Sequence, residues 1–146
     1  MNRKEFLKTC GYGCLAGVTG MTLLQSCSSS QVLTRKIEGS DIIVPIADFE
    51  IRKHKRIDYK KYVIVQNDLL KFPICVYRSD ADNYQALLMQ CTHQGAELQV
   101  FGERLQCPAH GSEFNSKGGV ENGPADNSLR KFPITILNNS LKISLK

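Results

Sequence analysis

The sequence lacks most of the side-chain arrangements on which enzymatic catalysis depends. Its 146 residues include only three histidines. No Ser-His-Asp order, glycine-rich phosphate loop or pair of acid-base carboxylates is recognisable in it. We therefore expect a protein without a substrate site of its own.

A strong excess of charge is also absent. The chain has 19 Lys and Arg residues against 14 Asp and Glu residues, a formal charge of +5. The first 26 residues hold three of the basic residues and one acidic residue, so the remainder carries +3. No base-stacking motif accompanies this mild basicity, and the sequence predicts no nucleic-acid role.

Long segments with helical periodicity are missing from the body of the chain. From residue 42 onwards, short runs rich in β-branched and aromatic residues are bounded by Asn, Asp, Gly or Ser. The runs are IIVPIADF, KYVIVQN, FPICVYRS, YQALLMQC, LRKFPITIL and LKISLK. They predict an all-β fold, a small antiparallel sandwich or barrel. Asn138-Asn139 between the last two runs predicts a hairpin turn.

The N-terminal segment has the composition of an export signal. A basic start is followed by an uncharged, moderately apolar run, residues 11–24, that is too short to span a bilayer comfortably. Leu24-Gln25-Ser26-Cys27 resembles the lipobox of bacterial lipoproteins, in which the signal is cut before an acylated cysteine. We therefore predict a signal peptide over residues 1–26, lipidation of Cys27 and a flexible tether over residues 27–41, with an uncleaved membrane anchor as the main rival.

The start of the chain leaves the export route open. Residues 2–8, NRKEFLK, resemble a twin-arginine signal in which Lys4 replaces the second arginine. A basic start also suits the general secretory route.

Two pairs of metal-ligand residues lie in the stretch CTHQGAELQVFGERLQCPAHGS. The first pair is Cys91 and His93, and the second is Cys107 and His110. In an extended segment, side chains two residues apart leave the same side of the backbone, so the first pair can point at one centre. Two thiolates and two imidazoles could hold one zinc ion or a two-iron, two-sulfide cluster. Each pair mixes the two ligand types, whereas common zinc modules pair like with like, and this order favours the cluster.

Here the sequence resembles the Rieske family. The motifs CTHxGA and CPAHGS, followed by EFN, GG and the turn Gly123–Pro124–Ala125, carry a resemblance that covers roughly residues 42–146. It implies a Rieske [2Fe-2S] domain, an antiparallel β-sandwich or barrel with a cluster-binding subdomain inserted at about residues 88–125. By the same resemblance, Cys91 and Cys107 bind the buried iron, and His93 and His110 bind the outer iron.

Neighbouring positions refine what the resemblance implies. Ser112 matches the residue whose hydroxyl tunes the cluster by a hydrogen bond to a sulfide, whereas Phe114 replaces the tyrosine of high-potential members. Ala96 and Ala109 occupy the positions of the loop-to-loop disulfide of respiratory members, so packing and the Pro124 turn would hold the loops. We expect an intermediate reduction potential, within roughly −150 to +300 mV.

Other candidate residues have simpler interpretations. Cys75 lies in the apolar run FPICVY, which predicts a buried free thiol and no disulfide in the domain. The basic run RKHKR, residues 52–56, predicts a solvated loop or a docking surface for acidic groups. Its His54 is the only spare histidine, so a mononuclear iron site of two histidines and one carboxylate cannot be built.

These observations predict a one-electron carrier that is exported to the bacterial cell envelope and lipid-anchored to a membrane, facing the periplasm. Its expected partner is a cytochrome or an oxidoreductase subunit. Two alternatives stay open: a Rieske subunit of a larger respiratory or oxidoreductase complex, and a non-redox binding module stabilised by zinc.

Overall fold

Short strands account for most of the secondary structure of the protein in a computed structural model. The structure describes residues 31–146. These residues form a unit of their own. The predicted signal peptide, residues 1–26, and the predicted lipidation site, Cys27, lie outside the described residues.

Within residues 31–146 the chain forms fifteen strands and one 3₁₀ turn, Ile46–Phe49. The strands are β1 (Val32–Thr34), β2 (Ile37–Glu38), β3 (Asp41–Pro45), β4 (Glu50–Lys53), β5 (Arg56–Tyr59), β6 (Tyr62–Gln66), β7 (Ile74–Arg78), β8 (Tyr84–Leu88), β9 (Gln99–Phe101), β10 (Arg104–Gln106), β11 (Glu113–Asn115), β12 (Val120–Asn122), β13 (Lys131–Phe132), β14 (Ile134–Leu137) and β15 (Ser140–Ser144).

The strands assemble into three larger sheets and a separate hairpin. The central sheet has the order β1-β6-β7-β8-β13, and the outer sheet has the order β14-β15-β3-β2. A third sheet, which we call the inserted sheet, has the order β12-β11-β10-β9 and lies in sequence between β8 and β13. Strands β4 and β5 pair only with each other.

The central sheet contributes to two hydrophobic cores because its side chains alternate between its faces. In β7, Ile74 and Val76 belong to the base core shared with the outer sheet, whereas Cys75 and Tyr77 belong to a second core shared with the inserted sheet. Full burial of one such Ile or Val side chain contributes about 1.5–3 kcal/mol. Strand β7 is therefore buried on both faces and joins the two halves of the domain.

The all-β prediction is confirmed, and so is the hairpin turn between β14 and β15. Asn138 and Asn139 have φ values of 48° and 57°. Positive φ at both central residues defines the turn type that matches the twist of a two-residue hairpin, and Asn tolerates that conformation well. The predicted run LRKFPITIL is divided at Pro133, which has no N–H to donate to a ladder.

The boundary predicted between tether and domain lies too late in the sequence. Residues 31–41 were assigned to the tether, but they include β1 and β2. Strand β1 runs parallel to β6, so the sheet is also not purely antiparallel. Backbone hydrogen bonds hold this segment: the Ile64 N–H donates to the Gln31 carbonyl at 2.7 Å, and the Arg35 N–H donates to the Gln66 carbonyl at 3.0 Å.

The basic run of residues 52–56 is not a loop but spans the hairpin of β4 and β5. Its charges are partly paired within the hairpin. Asp58 accepts contacts from Lys53 at 2.8 Å and from Arg56 at 3.2 Å. His54 lies at the exposed tip, as predicted for a surface residue.

Candidate metal centre

Two loops at one end of the inserted sheet carry the predicted ligands. The first loop, residues 89–98, connects β8 to β9, and the second, residues 107–112, connects β10 to β11. Antiparallel pairing of β9 with β10 and of β10 with β11 places both loops at the same end of the sheet. The structure thus brings together four residues that the sequence separates into two pairs.

The two loops share one backbone hydrogen-bond pattern. In the first loop, the Gly95 N–H donates to the Cys91 carbonyl at 2.9 Å, and the Cys91 N–H donates to the carbonyl five residues on at 2.8 Å. The second loop repeats this pattern with Gly111, Cys107 and Ser112 at 2.9 and 2.8 Å. Both glycines have φ of +76°, a conformation that glycine adopts without steric cost.

The two cysteines lie at the inner side of the loops. Cys91 and Cys107 are each 2% exposed and belong to the second core. The pKa of Cys107 is lowered overall. Burial acts to raise this pKa, but hydrogen bonds from the backbone of Ala109, the side chain of Cys91 and the backbone of His110 outweigh it. The lowered pKa favours the thiolate, which is the form of cysteine that binds iron.

The two histidines lie at the outer side. His93 and His110 are exposed, and their ring centroids are 5.1 Å apart with the planes nearly perpendicular. Within residues 31–146, no three His, Cys, Asp or Glu side chains converge closely enough to hold one metal ion. A pair of inner thiols and a pair of outer imidazoles fits a group with two metal ions, one at each depth.

A third segment, residues 122–128, fastens both loops through hydrogen bonds. The Thr92 hydroxyl donates to the Asn127 carbonyl at 2.6 Å, and the Asn122 side-chain amide donates to the Gly111 carbonyl at 3.2 Å. The Ala125 N–H donates to the Ser112 hydroxyl oxygen at 3.0 Å. Sequence reasoning identified the Gly123–Pro124 turn, whose peptide bond is cis, but missed Thr92, Asn122 and Asn127, for which no motif gives a signal.

The residues next to the ligands include one buried hydroxyl group and one buried aromatic ring. Ser112 is fully buried beside Cys107, and Phe114 is fully buried in the second core with no hydroxyl to offer. Ala96 and Ala109 leave the two loops without a cross-link between them. The remaining cysteine of the described residues, Cys75, is a buried free thiol, as predicted.

A family comparison decides the nature of the site. Residues 49–133 match the model of the Rieske [2Fe-2S] domain, which is more than half of the chain. The chain belongs to the Rieske [2Fe-2S] domain family. Its cofactor is therefore a Rieske-type [2Fe-2S] cluster, and this outcome decides against the zinc module.

Two relatives with similar sequences are named iron-sulfur subunits of the cytochrome b6-f complex. The Rieske domain is 32% identical over 60 residues to the cytochrome b6-f complex iron-sulfur subunit 2 of Nostoc sp. (strain PCC 7120), covering 40% of this chain and 34% of that protein. The corresponding subunit 3 of the same organism is 35% identical over the same lengths. The match thus spans about a third of the length of these relatives.

Solved structures show the same fold. The plasma membrane Rieske protein PetC3 of Synechocystis PCC 6803 is 25% identical, with a TM-score of 0.50, over 57% of this chain and 86% of that one. A chain from the complex of reduced oxygenase and oxidized ferredoxin in carbazole 1,9a-dioxygenase is 20% identical, with a TM-score of 0.54, over 75% and 96%. Within residues 31–146 of the Rieske protein, no helix is both long and apolar enough to cross a membrane.

Proposed function

We propose that the protein carries single electrons on a cluster bound by Cys91 and Cys107 on the inner iron and by His93 and His110 on the outer iron. One observation carries this proposal: two loops of identical backbone hydrogen bonding place two buried thiols side by side and two imidazoles at the surface. The cluster supplies one-electron redox chemistry when it is bound. The chain itself supplies the four ligands, buries the two cysteines and exposes the two histidine rings through which electrons would pass to a partner.

The types of ligand determine the range of the reduction potential. Two thiolates neutralise the charge of two ferric ions and two sulfides, whereas four thiolates would leave a charge of −2. Adding an electron to the less negative site costs less, so imidazole ligation raises the potential to somewhere within about −150 to +300 mV. The absence of a hydroxyl at Phe114 and the presence of one at Ser112 support a value in the middle half of that range.

The exposed imidazoles give the potential a pH dependence. Each ring that bound metal through one nitrogen would leave its other nitrogen able to carry a proton. Oxidation favours loss of that proton, so the potential falls as the pH rises. The expected slope is about 59 mV per pH unit for each proton lost.

Film voltammetry between pH 5 and pH 10 tests the electron-carrier proposal on a soluble protein that starts after Cys27. We expect a one-electron couple of intermediate potential that falls at high pH. A low potential that is independent of pH would contradict histidine ligation.

Substitution of single cysteines tests the ligand assignment. Cys91→Ser should abolish binding of iron and acid-labile sulfide, because serine is a poor replacement for a thiolate ligand of the cluster. Cys75→Ser is the matched control, since it changes another buried cysteine of the same core. Equal iron and sulfide content in both variants would refute the assignment.

We further propose that the protein is exported and held at a membrane of the cell envelope by a lipid on Cys27, facing the periplasm. The sequence Leu24-Gln25-Ser26-Cys27 supports this location, and a protein similar in sequence and fold is named a plasma membrane Rieske protein. Metabolic labelling with a radioactive fatty acid should mark the wild-type protein and leave Cys27→Ala unlabelled. Labelling of both would exclude Cys27 as the lipid site.

The names of the relatives support a second candidate, a subunit of a larger complex. The Nostoc proteins are iron-sulfur subunits of the cytochrome b6-f complex. In either case the partner is a redox protein, a cytochrome or an oxidoreductase subunit, that meets the exposed imidazoles. Purification from membranes in mild detergent distinguishes the two: a stable stoichiometric complex indicates a subunit, and isolation of this chain alone indicates a free carrier.

A further inference from the structure

A cleft of about 420 Å³ lies at the far end of the inserted sheet from the ligand loops. Its walls come from the segment between β5 and β6, from the end of β7 and from the turns after β9 and β11. Glu103 lines the cleft at the start of β10, whereas Cys107 follows the end of the same strand. At about 3.3 Å per residue, the two positions are roughly 13 Å apart along the strand. The cleft is therefore separate from the metal centre.

Positive charge predominates in the cleft. Lys60, Lys61 and Arg78 line it together with a single carboxylate, that of Glu103. Lys61 forms an ion pair with this carboxylate. The ammonium group of Lys60 donates to the backbone carbonyl of Asp48 at 3.0 Å, a bond that leaves its charge uncompensated. The cleft thus has an excess of two positive charges.

Arg78 is held in place by aromatic neighbours. Its guanidinium carbon lies 4.0 Å from the ring centroid of Tyr59, and its Nε donates to the Tyr84 hydroxyl at 3.2 Å. Within residues 31–146 no carboxylate forms an ion pair with it. A positioned guanidinium with free donors is suited to binding an oxyanion through two parallel hydrogen bonds.

Tyr77 adds a second, independent observation. This residue lines the cleft and is 3% exposed, and its buried hydroxyl oxygen has no hydrogen-bond partner within the described residues. The Cys75 thiol, which is a weak acceptor, interacts with this hydroxyl. Burial, together with the nearby Cys75 and Glu103, raises the pKa of Tyr77, so the hydroxyl keeps its proton. A buried hydroxyl with no oxygen or nitrogen acceptor is poorly satisfied, and a bound oxygen acceptor would relieve this.

We propose that this cleft binds the phosphate group of a small organic phosphate. Ser79 and Ser116 also line it, so the lining includes four residues with a hydroxyl group and three with a cationic group. A carboxylate has two oxygens to accept these hydrogen bonds, whereas a phosphate monoester has three and carries up to two negative charges. The volume exceeds that of a phosphate alone and falls within the usual range for small-molecule sites.

Glu103 competes with the ligand for Lys61. Its carboxylate is exposed, and the hydrogen bond and the charge of Lys61 lower its pKa, so it is ionised at neutral pH. A phosphate that enters the cleft meets this negative charge. Removal of the charge should therefore strengthen binding, an effect opposite to that of removing a cation.

Isothermal titration calorimetry on the full-length protein with its cofactor bound tests the proposal. The probes are glycerol 3-phosphate, inorganic phosphate and succinate, at low ionic strength because salt screens the cleft. Arg78→Gln should raise the dissociation constant of glycerol 3-phosphate by about tenfold or more. Glu103→Gln should lower it several-fold, a gain that misfolding cannot produce.

Lys142→Gln is the control, because it removes one positive charge outside the cleft, where Lys142 pairs with the carboxylate of Asp41. The dissociation constant of glycerol 3-phosphate for this variant should equal that for the wild type. Three outcomes would overturn the proposal: no saturable binding of glycerol 3-phosphate, succinate binding as tight as that of both phosphates, or equal weakening by Arg78→Gln and Lys142→Gln. Because the readout is phosphate binding, these outcomes do not depend on the electron-carrier proposal.

Discussion

Ser112 is the residue whose local geometry bears most directly on the reduction potential. Its oxygen accepts a hydrogen bond from the Ala125 N–H, and it is fully buried next to Cys107. Because the oxygen already has a donor, the hydroxyl proton remains available for an acceptor at the metal centre. A hydrogen bond of this kind stabilises the more negative, reduced form.

Ser112→Ala should therefore lower the reduction potential. A hydrogen bond to a charged group is worth about 1.5–3 kcal/mol, so we expect a decrease of about 65–130 mV by voltammetry. Thr135→Ala, which removes an exposed hydroxyl from β14 of the outer sheet, should leave the potential unchanged. A shift below the error of the measurement in Ser112→Ala would show that the hydroxyl does not tune the site.

Cys75 should be chemically inert in the folded protein. Burial raises the pKa of this thiol far above its ordinary value, and only the thiolate is nucleophilic enough to attack an alkylating reagent. We expect no reaction with an alkylating reagent at pH 8 until the protein unfolds, measured by mass spectrometry on a protein that starts after Cys27. Modification of Cys75 within minutes under native conditions would contradict its burial.

At the residue scale, the sequence was most informative where a motif exists. The two Cys and His pairs are recognisable because the ligand chemistry requires those residue types at those spacings, whereas Ser112 was identified only through the resemblance to the Rieske family. Thr92, Asn122 and Asn127 are different, because they fasten the loops through ordinary hydrogen bonds. Any chain has many such residues, and only their positions in space distinguish these three.

The turn between β11 and β12 contains a glycine, Gly118, at which an added Cβ atom should lower the stability of the domain. Gly118 has φ of +82°, and a Cβ atom there would lie 2.9 Å from Cδ2 of the buried Leu87. Its carbonyl also accepts from the Leu129 N–H at 2.9 Å, which ties the inserted sheet to the segment before β13.

Gly118→Ala should destabilise the domain more than Gly102→Ala does. Both glycines have positive φ, so both substitutions cost about 1–2 kcal/mol of backbone strain, but Gly102 has open space around it. The clash with Leu87 adds about 1–3 kcal/mol for overpacking. Thermal unfolding followed by circular dichroism should therefore rank the midpoints as wild type, Gly102→Ala and then Gly118→Ala. Equal midpoints for the two variants would show that the Leu87 side chain moves aside without a cost in stability.

Strands were predictable where their residues alternate or are continuously apolar. The runs that form β6, β7, β8 and β15 were identified because each is short, bounded by turn residues and contains apolar side chains that the fold buries. Strands β4 and β5 were missed because EIRK and RIDY are mostly charged and form a hairpin with exposed side chains. Their pairing depends on backbone hydrogen bonds, which leave no apolar pattern in the sequence.

At the scale of the whole molecule, the start of the folded unit can be tested by truncation. A protein beginning at residue 31 keeps every described strand, whereas one beginning at residue 42 loses β1 and β2 together with the partly buried Leu33 and Ile37. We expect the shorter protein to unfold about 10 °C lower or more, because both strand pairing and apolar burial are lost. Equal unfolding midpoints would restore the boundary predicted from the sequence.

The arrangement of the sheets was less predictable than their strands. The parallel pairing of β1 with β6 joins residues about thirty positions apart, and nothing local to Val32–Thr34 specifies that partner. The phosphate cleft is a similar case, because four separate segments meet there. Both features depend on long-range packing, which a single sequence does not display.

The two-faced burial of β7 has a consequence for attempts to transplant the metal centre. Val76 packs into the base core, while its neighbours Cys75 and Tyr77 form part of the core beneath the ligand loops. The ligand loops and the base core thus pack against opposite faces of the same strand, β7, and adjacent residues of this strand belong to different cores. A graft of the two loops onto another β scaffold would also need residues equivalent to Cys75 and Tyr77. The binding motifs alone do not include the core residues against which the loops pack.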